Sequence, residues 1–208
     1  MPARDLAVQR FDASVSQVDE LLAIYRYIHA NSEIPAKDNI LRAALTMLVS
    51  AIDTSVHELV ISAIVRKMID GQNVFDISKQ LVSMQCILEP DPTQRIAMAE
   101  ADIRRQCAKE TFQSSRQLET ALASIGINKI WSRLSGRLGN TPENIKLKLD
   151  LMVRRRNQIV HEADLDGFHC LQQISLQMVE SLYEFTTQFV RALFAEYESL
   201  VGTVRPII

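Results

Sequence analysis

Three side chains in one short stretch, RRRNQIVHEAD at 154–164, have types and a spacing suited to phosphate chemistry. Arg156 offers a planar pair of donors that matches phosphate oxygens, and the imidazole of His161 exchanges protons near neutral pH. Asn157 carries an amide that can orient either a phosphate or the imidazole. In a helix, Asn157 and His161 are neighbours one turn apart, at positions i and i+4. These three residues are therefore candidates for one catalytic site.

Helical geometry distinguishes the three consecutive arginines of this stretch. At about 100° per residue, Arg156 falls in the middle of an apolar stripe. The other members of that stripe are Ile145, Leu149, Met152, Val153, Ile159 and Val160. Arg154 and Arg155 fall about 160° and about 260° away, outside the stripe, so we expect both in solvent. A buried Arg156 needs an anion, either a carboxylate of this chain or a phosphate brought by a ligand.

A second polar pair, Asp53 and His57, lies at the edge of the apolar face of an earlier helical stretch. These residues are also spaced at i and i+4, and they are accessory candidates for the wall opposite Arg156. The same pair equally fits a polar helix flank without any role in a site. In a purely structural alternative, Arg156 pairs with Asp53, and His161 caps the end of its helix.

Basic residues are concentrated in one part of a chain that is slightly acidic overall. The net charge of the 208 residues is −2, but 129–156 holds eight basic and two acidic side chains, a local charge of +6 that leaves −8 elsewhere. This distribution suits a polyanion that meets the protein at one place, although a solvated helix face has the same composition. The candidate contacts to such a polyanion are Arg154, Arg155, Lys146 and Lys148.

The elements that must position these residues are helices. Abundant Leu, Ile, Val, Ala and Met with few Gly and Pro predict an all-α fold, a bundle of four to five main helices without β-sheet. Helical patterns cover about 6–30, 38–69, 93 through the 100s, 116–125, 129–138, 141 to 164–167, and 168–200. Thr141 in TPEN is a good N-cap for the helix that carries the motif. We interpret 1–208 as a single domain with a helical insertion at 71–93.

Other sequence features bear on localisation, the state of the cysteines and cofactor binding. The N-terminal stretch has no apolar run long enough for a signal peptide or membrane span, so we expect a soluble cytoplasmic protein without a membrane partner. Three cysteines, odd in number and far apart, favour reduced thiols. Neither GxxxxGK[ST] nor GxGxxG occurs, and we expect no cofactor.

Metal-dependent hydrolysis is the rival catalytic interpretation of the same region. The stretch HEADLDGFHC, from 161 to 170, brings six potential ligands close together in sequence: His161, Glu162, Asp164, Asp166, His169 and Cys170. It lacks HExxH, an EF-hand loop and paired CxxC, and Gly167 breaks the helix between its histidines. We therefore expect no metal site.

RRRNQIVHEAD resembles the Rx4–6H signature of the HEPN superfamily, named for higher eukaryotes and prokaryotes nucleotide-binding. Its nucleases often carry a polar residue directly after the arginine, and the matching positions are Arg156, Asn157 and His161. LRAALTMLVSAIDTSVHELV at 41–60 and KETFQSSRQLETALASIGINKIW at 109–131 are similar to the branch called RiboL-PSP-HEPN. The resemblance thus extends over most of the chain.

The resemblance implies a helical bundle that forms a homodimer, in which two RxxxxH motifs share one cleft. It also implies metal-independent RNA cleavage, often in toxin–antitoxin or antiphage systems that include a cognate antitoxin or defence partner. In that chemistry the ribose 2′-OH attacks the adjacent phosphate, so His161 would transfer protons and Arg156 would stabilise the phosphorane. The second His161 of the dimer, or His57, would complete the proton transfers. The alternative is a catalytically inactive HEPN protein that binds RNA, a nucleotide or a protein partner.

Overall fold

The described part of the chain folds almost entirely into helices. The computed structural model describes residues 3–31, 37–70 and 82–201. Its helices are α1 (Ala3–Asn31), α2 (Asp38–Asp70), α3 (Met84–Leu88), α4 (Pro92–Cys107), α5 (Ser115–Ser124), α6 (Ile130–Leu138), α7 (Pro142–His161) and α8 (Leu176–Val201). Within these residues the only β-type pairing recorded is an isolated bridge between Leu165 and Leu171. The predicted all-α fold without β-sheet is confirmed.

Helix α2 lies at the centre of the bundle, packed against α1, α4, α5, α7 and α8. Leu41, Leu45, Leu48 and Ile52, spaced by three or four residues, are all buried, as the periodic pattern predicts. Among the helices that the structure describes, α2 alone is long and apolar enough to cross a membrane by length and composition. Most of that stretch is buried inside the bundle, as is typical of the core helix of a soluble domain.

Three buried carboxylates link elements of the fold, because each one forms ion pairs with two arginines. They are Glu58 with Arg10 and Arg104, Asp164 with Arg42 and Arg155, and Glu196 with Arg133 and Arg137. Each pair of arginines approaches its carboxylate from outside the helix or loop that carries it. Because removing one partner leaves an uncompensated buried charge, these clusters fix how the helices pack.

The helix that carries the motif starts as its sequence predicts. Thr141 is the N-cap of α7, its Oγ1 accepts a hydrogen bond from the Asn144 amide at 3.2 Å, and Pro142 occupies the first helical position. The next helix starts later than expected, at Leu176 instead of about 168. Its start is displaced because 162–175 is a loop with left-handed backbone at Ala163, Asp164 and His169, which a helix cannot continue through.

The interpretation of 71–93 as an insertion falls partly outside the described residues, which resume at 82. From there on the chain forms α3 and the start of α4, which pack against each other. Both the insertion and the single domain stay predictions. All three cysteines are free, with Cys86 and Cys107 buried and Cys170 exposed.

Candidate active site

The last two turns of α7 carry the three motif residues beside the protein core. Arg156 and Asn157 are partly buried, and Arg156 Nη1 donates a hydrogen bond to Asn157 Oδ1 at 3.0 Å. Arg156 Nε is buried and has no hydrogen-bond partner within the part of the chain that the structure describes. The guanidinium therefore has one buried donor that the described residues leave unsatisfied, an arrangement that is costly without a partner.

His161 is the last residue of α7 and is exposed. The turn that holds it is closed by two hydrogen bonds, because the amides of Glu162 and Asp164 both donate to the Gln158 carbonyl oxygen at 3.0 Å. The two hydrogen bonds satisfy the Gln158 carbonyl, one of the last carbonyl groups of α7, which often lack a partner at the end of a helix. The backbone around His161 is thus fixed while its imidazole faces solvent.

Arg155 is buried, so the expectation that it lies in solvent is wrong. Its Nη1 lies 2.7 Å from Asp164 Oδ1, and its Nη2 donates to Asp164 Oδ2 at 2.9 Å. Nη2 also reaches the carbonyl oxygens of Gln172 and Gln173, at 3.3 and 3.1 Å. The cause is the loop 162–175, which folds back along that side of α7 and covers a flank that helix angles alone leave open. Arg154 is exposed, as expected.

Asp53 and His57 have structural partners away from the motif. Asp53 Oδ1 accepts a hydrogen bond from the Phe112 amide at 2.6 Å. The two ring nitrogens of His57 lie 2.8 Å from the Asp53 carbonyl oxygen and 2.9 Å from that of Cys107. These contacts join α2 to the last residue of α4 and to the segment that follows it.

Asp53 lies further along α2 than Arg42, a residue of that helix that contacts the loop after α7. It follows Arg42 by 11 residues or about 16 Å of helix. An ion pair between Arg156 and Asp53 is not seen among the described residues, in which Arg156 Nη1 donates to Asn157 and Asp53 accepts from the Phe112 amide. Any accessory role of Asp53 and His57 stays a prediction.

Much of the basic cluster at 129–156 is occupied by contacts within the protein. Arg133 and Arg137 pair with Glu196. The ammonium of Lys146 lies 5.5 Å from the centre of the Trp131 ring, and that of Lys148 lies 5.0 Å from the centre of the Phe185 ring. Both lysines are partly buried, whereas Arg154 is exposed. Of the four candidates for RNA contacts, Arg154 is the most accessible, and the binding roles stay predictions.

Two acidic residues of HEADLDGFHC, Asp164 and Asp166, have partners within the protein. Asp164 is held by arginines, and Asp166 Oδ1 accepts hydrogen bonds from the amides of Phe168 and Cys170, at 2.8 and 2.9 Å. Across the described ranges, no group of three or more His, Cys, Asp or Glu side chains is arranged to hold a metal ion. The rival metal site thus has no support in the geometry.

Arg42 and Asp164 form an ion pair beside the motif that the spacing of residues in the sequence does not predict. Arg42 Nε donates to Asp164 Oδ2 at 2.6 Å, and its Nη2 donates to the Gln172 carbonyl oxygen at 2.7 Å. A signal for Arg42 is present in the sequence, since it stands within LRAAL in the most apolar helix. An arginine in such a place requires a buried partner. Nothing in the sequence indicates that the partner is Asp164, 122 positions later.

The comparisons with known proteins agree with the helical architecture and the motif. The family model RiboL-PSP-HEPN matches residues 12–199, a range that includes α2, α7 and the loop after α7. No curated protein and no solved structure matches the chain. The match covers nearly the whole sequence, and the chain belongs to the RiboL-PSP-HEPN family.

Proposed function

We propose that this protein is a metal-independent endoribonuclease whose site is built from Arg156, Asn157 and His161. The observation that carries the proposal is the Arg156 guanidinium, which has a buried Nε without a hydrogen-bond partner in the described residues and lies against Asn157. One turn beyond Asn157, the exposed His161 is the last residue of the same helix. Membership of a family that includes RNases supports the same assignment.

The chemistry follows from what these groups can donate and accept. The ribose 2′-oxygen forms a bond to phosphorus and loses its proton to a base, while the bond from phosphorus to the 5′-oxygen breaks and that oxygen gains a proton. Arg156 binds the non-bridging oxygens, where negative charge grows during the reaction. His161 acts as the base or the acid, and Asn157 holds the guanidinium in place. The products are a 2′,3′-cyclic phosphate and a 5′-OH.

One chain holds one such histidine at the motif, so the proposal includes a homodimer that brings a second. The outward face of α7 supports it. Leu147 and Leu151 are 56% and 49% exposed, and by helical angle they share this face with Arg154 and His161. A second copy that covers the two leucines about a two-fold axis places its own motif nearby.

The biological role that fits this activity is that of a toxin or antiphage effector in the cytoplasm, with RNA as its substrate. A cognate antitoxin or defence-system protein would restrain it. The competing role is that of a catalytically inactive family member that binds RNA, a nucleotide or a protein. The first role requires cleavage of RNA that depends on His161, and the second requires binding without cleavage.

An RNA cleavage assay with and without EDTA tests the proposal. Wild type should cleave RNA in EDTA and spare DNA, because the nucleophile belongs to the ribose. His161→Ala should lose cleavage by about 100-fold or more, as expected when a proton-transfer group is removed. His169→Ala is the matched control, since His169 is an exposed histidine of the adjacent loop and lies outside the motif. Wild type that binds RNA without cleaving it favours the inactive alternative, and activity lost in EDTA but restored by a divalent ion overturns the metal-independent mechanism.

A further inference from the structure

The buried carboxylate three residues beyond His161 points to a role in the reaction. We propose that Asp164, held by Arg42 and Arg155, is a positioning residue that fixes the backbone turn presenting His161. This inference rests on the proposed ribonuclease function for its catalytic consequence. Its structural part, that the cluster holds the turn, stands independently of any activity.

Asp164 lies in the most enclosed position of its loop. The residue is 1% exposed, and its carboxylate is gripped by guanidinium groups from two different helices, α2 and α7. Its backbone is equally constrained: the amide donates to the Gln158 carbonyl oxygen, and the carbonyl oxygen accepts from the Gln172 amide at 2.9 Å. Both the side chain and the main chain of Asp164 are therefore fixed.

The backbone between His161 and Asp164 has little freedom once Asp164 is held. Ala163 and Asp164 have φ values of 52° and 58°, in the left-handed region that non-glycine residues rarely adopt. Such a conformation persists only where surrounding contacts enforce it. The contacts of Asp164 here are its ion pairs with Arg42 and Arg155 and its backbone hydrogen bonds with Gln158 and Gln172. Without the ion pairs, we expect the terminal turn of α7 to open and His161 to sample other positions.

The same contacts could serve only to stabilise the packing of the helices. A second buried carboxylate between two arginines, far from the motif, provides a control that distinguishes this role from positioning of His161. Glu196 is also a buried carboxylate, 6% exposed, between Arg133 and Arg137. It lies 20 residues into α8, or about 30 Å of helix beyond the start of that helix near the motif loop. Glu196→Gln thus removes a comparable ion cluster far from His161.

The experiment compares Asp164→Asn with Glu196→Gln first by melting temperature and then by RNA cleavage at a temperature at which both variants are folded. Both variants should melt at least about 5 °C below wild type, since each leaves two arginines without their carboxylate. For cleavage of RNA, Asp164→Asn should lower kcat at least 10-fold with KM within about twofold, because misplacing a catalytic group affects the reaction more than binding. Glu196→Gln should keep the wild-type kcat. Arg155→Lys, which retains the charge, should fall between wild type and Asp164→Asn.

Amide hydrogen exchange provides a measurement that does not depend on cleavage. In wild type the amides of Glu162 and Asp164 should be protected, since both donate to the Gln158 carbonyl. Asp164→Asn should lose this protection locally while α2 remains protected, and Glu196→Gln should retain it. If protection at 162–164 survives in Asp164→Asn, or if that variant keeps its kcat, the positioning role is overturned. If wild type cleaves no RNA but the local loss occurs, the proposed ribonuclease function fails while the structural part of the inference stands.

Discussion

At the scale of single residues, three adjacent arginines have three different environments, and substituting each one should affect a different property of the protein. Arg154 is exposed, Arg155 is buried against Asp164, and Arg156 is partly buried beside Asn157. In the proposed ribonuclease, we expect Arg154 to contribute to diffuse attraction of RNA and Arg156 to contribute to catalysis. Breaking the buried ion pair of Arg155 should lower stability.

For Arg156 we predict loss of cleavage with a nearly unchanged melting temperature. Arg156→Lys should lose at least about 10-fold in kcat/KM, because an ammonium cannot reproduce the paired donors of a guanidinium. Thermal melting and RNA cleavage measured on the same samples check this. A variant that cleaves at the wild-type rate contradicts the assignment of Arg156 to the site.

Arg154→Ala is the matched control for Arg156, since the two side chains differ in burial and not in charge. It should weaken RNA binding modestly, with a shallower dependence on salt concentration, and leave kcat intact. Titrations at two salt concentrations measure this effect. A loss of kcat in Arg154→Ala equal to that of Arg156→Lys would show that the two arginines are not distinguished by their positions on α7.

The residues of the motif could be selected from the sequence because their types and spacing are local properties. The environment of Arg155 could not be inferred in the same way. Helix angles place it about 40° from Ile159, at the edge of the apolar stripe, and a loop that follows the helix decides whether that edge is covered. Burial at such a flank depends on contacts that the periodicity of one helix does not contain.

At the scale of elements, the outer face of α7 is where we expect the second protomer. Leu151→Glu should shift the protein toward monomer in light scattering at micromolar concentration and reduce cleavage in parallel, because a charge replaces apolar surface on this face. Ile24→Glu on α1 is the control, since Ile24 is 48% exposed against 49% for Leu151. A monomeric wild type that still cleaves RNA contradicts the composite site. A dimer that survives Leu151→Glu contradicts the placement of the dimer interface on the outer face of α7.

The helices themselves were largely predictable, and the reasons are local. Thr141 followed by Pro142 identifies the start of α7, and the periodic apolar residues of α2 predict its buried face. The sequence predicts too early a start for α8, because Phe168 and Leu171 continue an apolar pattern although both are exposed in the loop. The left-handed backbone at Ala163 and Asp164 prevents α7 from continuing into this loop, and Asp164 is in contact with Arg42 from a distant part of the chain.

At the scale of the whole molecule, the buried carboxylates predict a loss of stability in acid. Burial alone would raise the pKa of Glu196, but hydrogen bonds from Arg137 and Arg133 outweigh it and lower the pKa. Hydrogen bonds from Ser83 likewise lower the pKa of Asp102. A carboxyl whose pKa is lower in the folded state stabilises the protein above its unfolded pKa, about 4, and this contribution is lost as the pH falls through the folded pKa.

The melting temperature should therefore fall steeply below about pH 4. Glu196→Gln should start from a lower melting temperature at pH 7 and lose less between pH 5 and pH 3, because the glutamine has no proton to take up. Calorimetry of both proteins across this range checks the prediction. Parallel curves for the two would show that Glu196 does not contribute to the acid transition.

The chemical ends of the RNA product test the central claim most directly. A short RNA of known sequence is incubated with the protein in EDTA, and the fragments are analysed by mass spectrometry. Attack by the ribose 2′-OH predicts a 2′,3′-cyclic phosphate on one fragment and a 5′-OH on the other, with neither formed by His161→Ala. Fragments that carry a 5′-phosphate and a 3′-OH from the start would show that water is the nucleophile, and would contradict the mechanism assigned to Arg156 and His161.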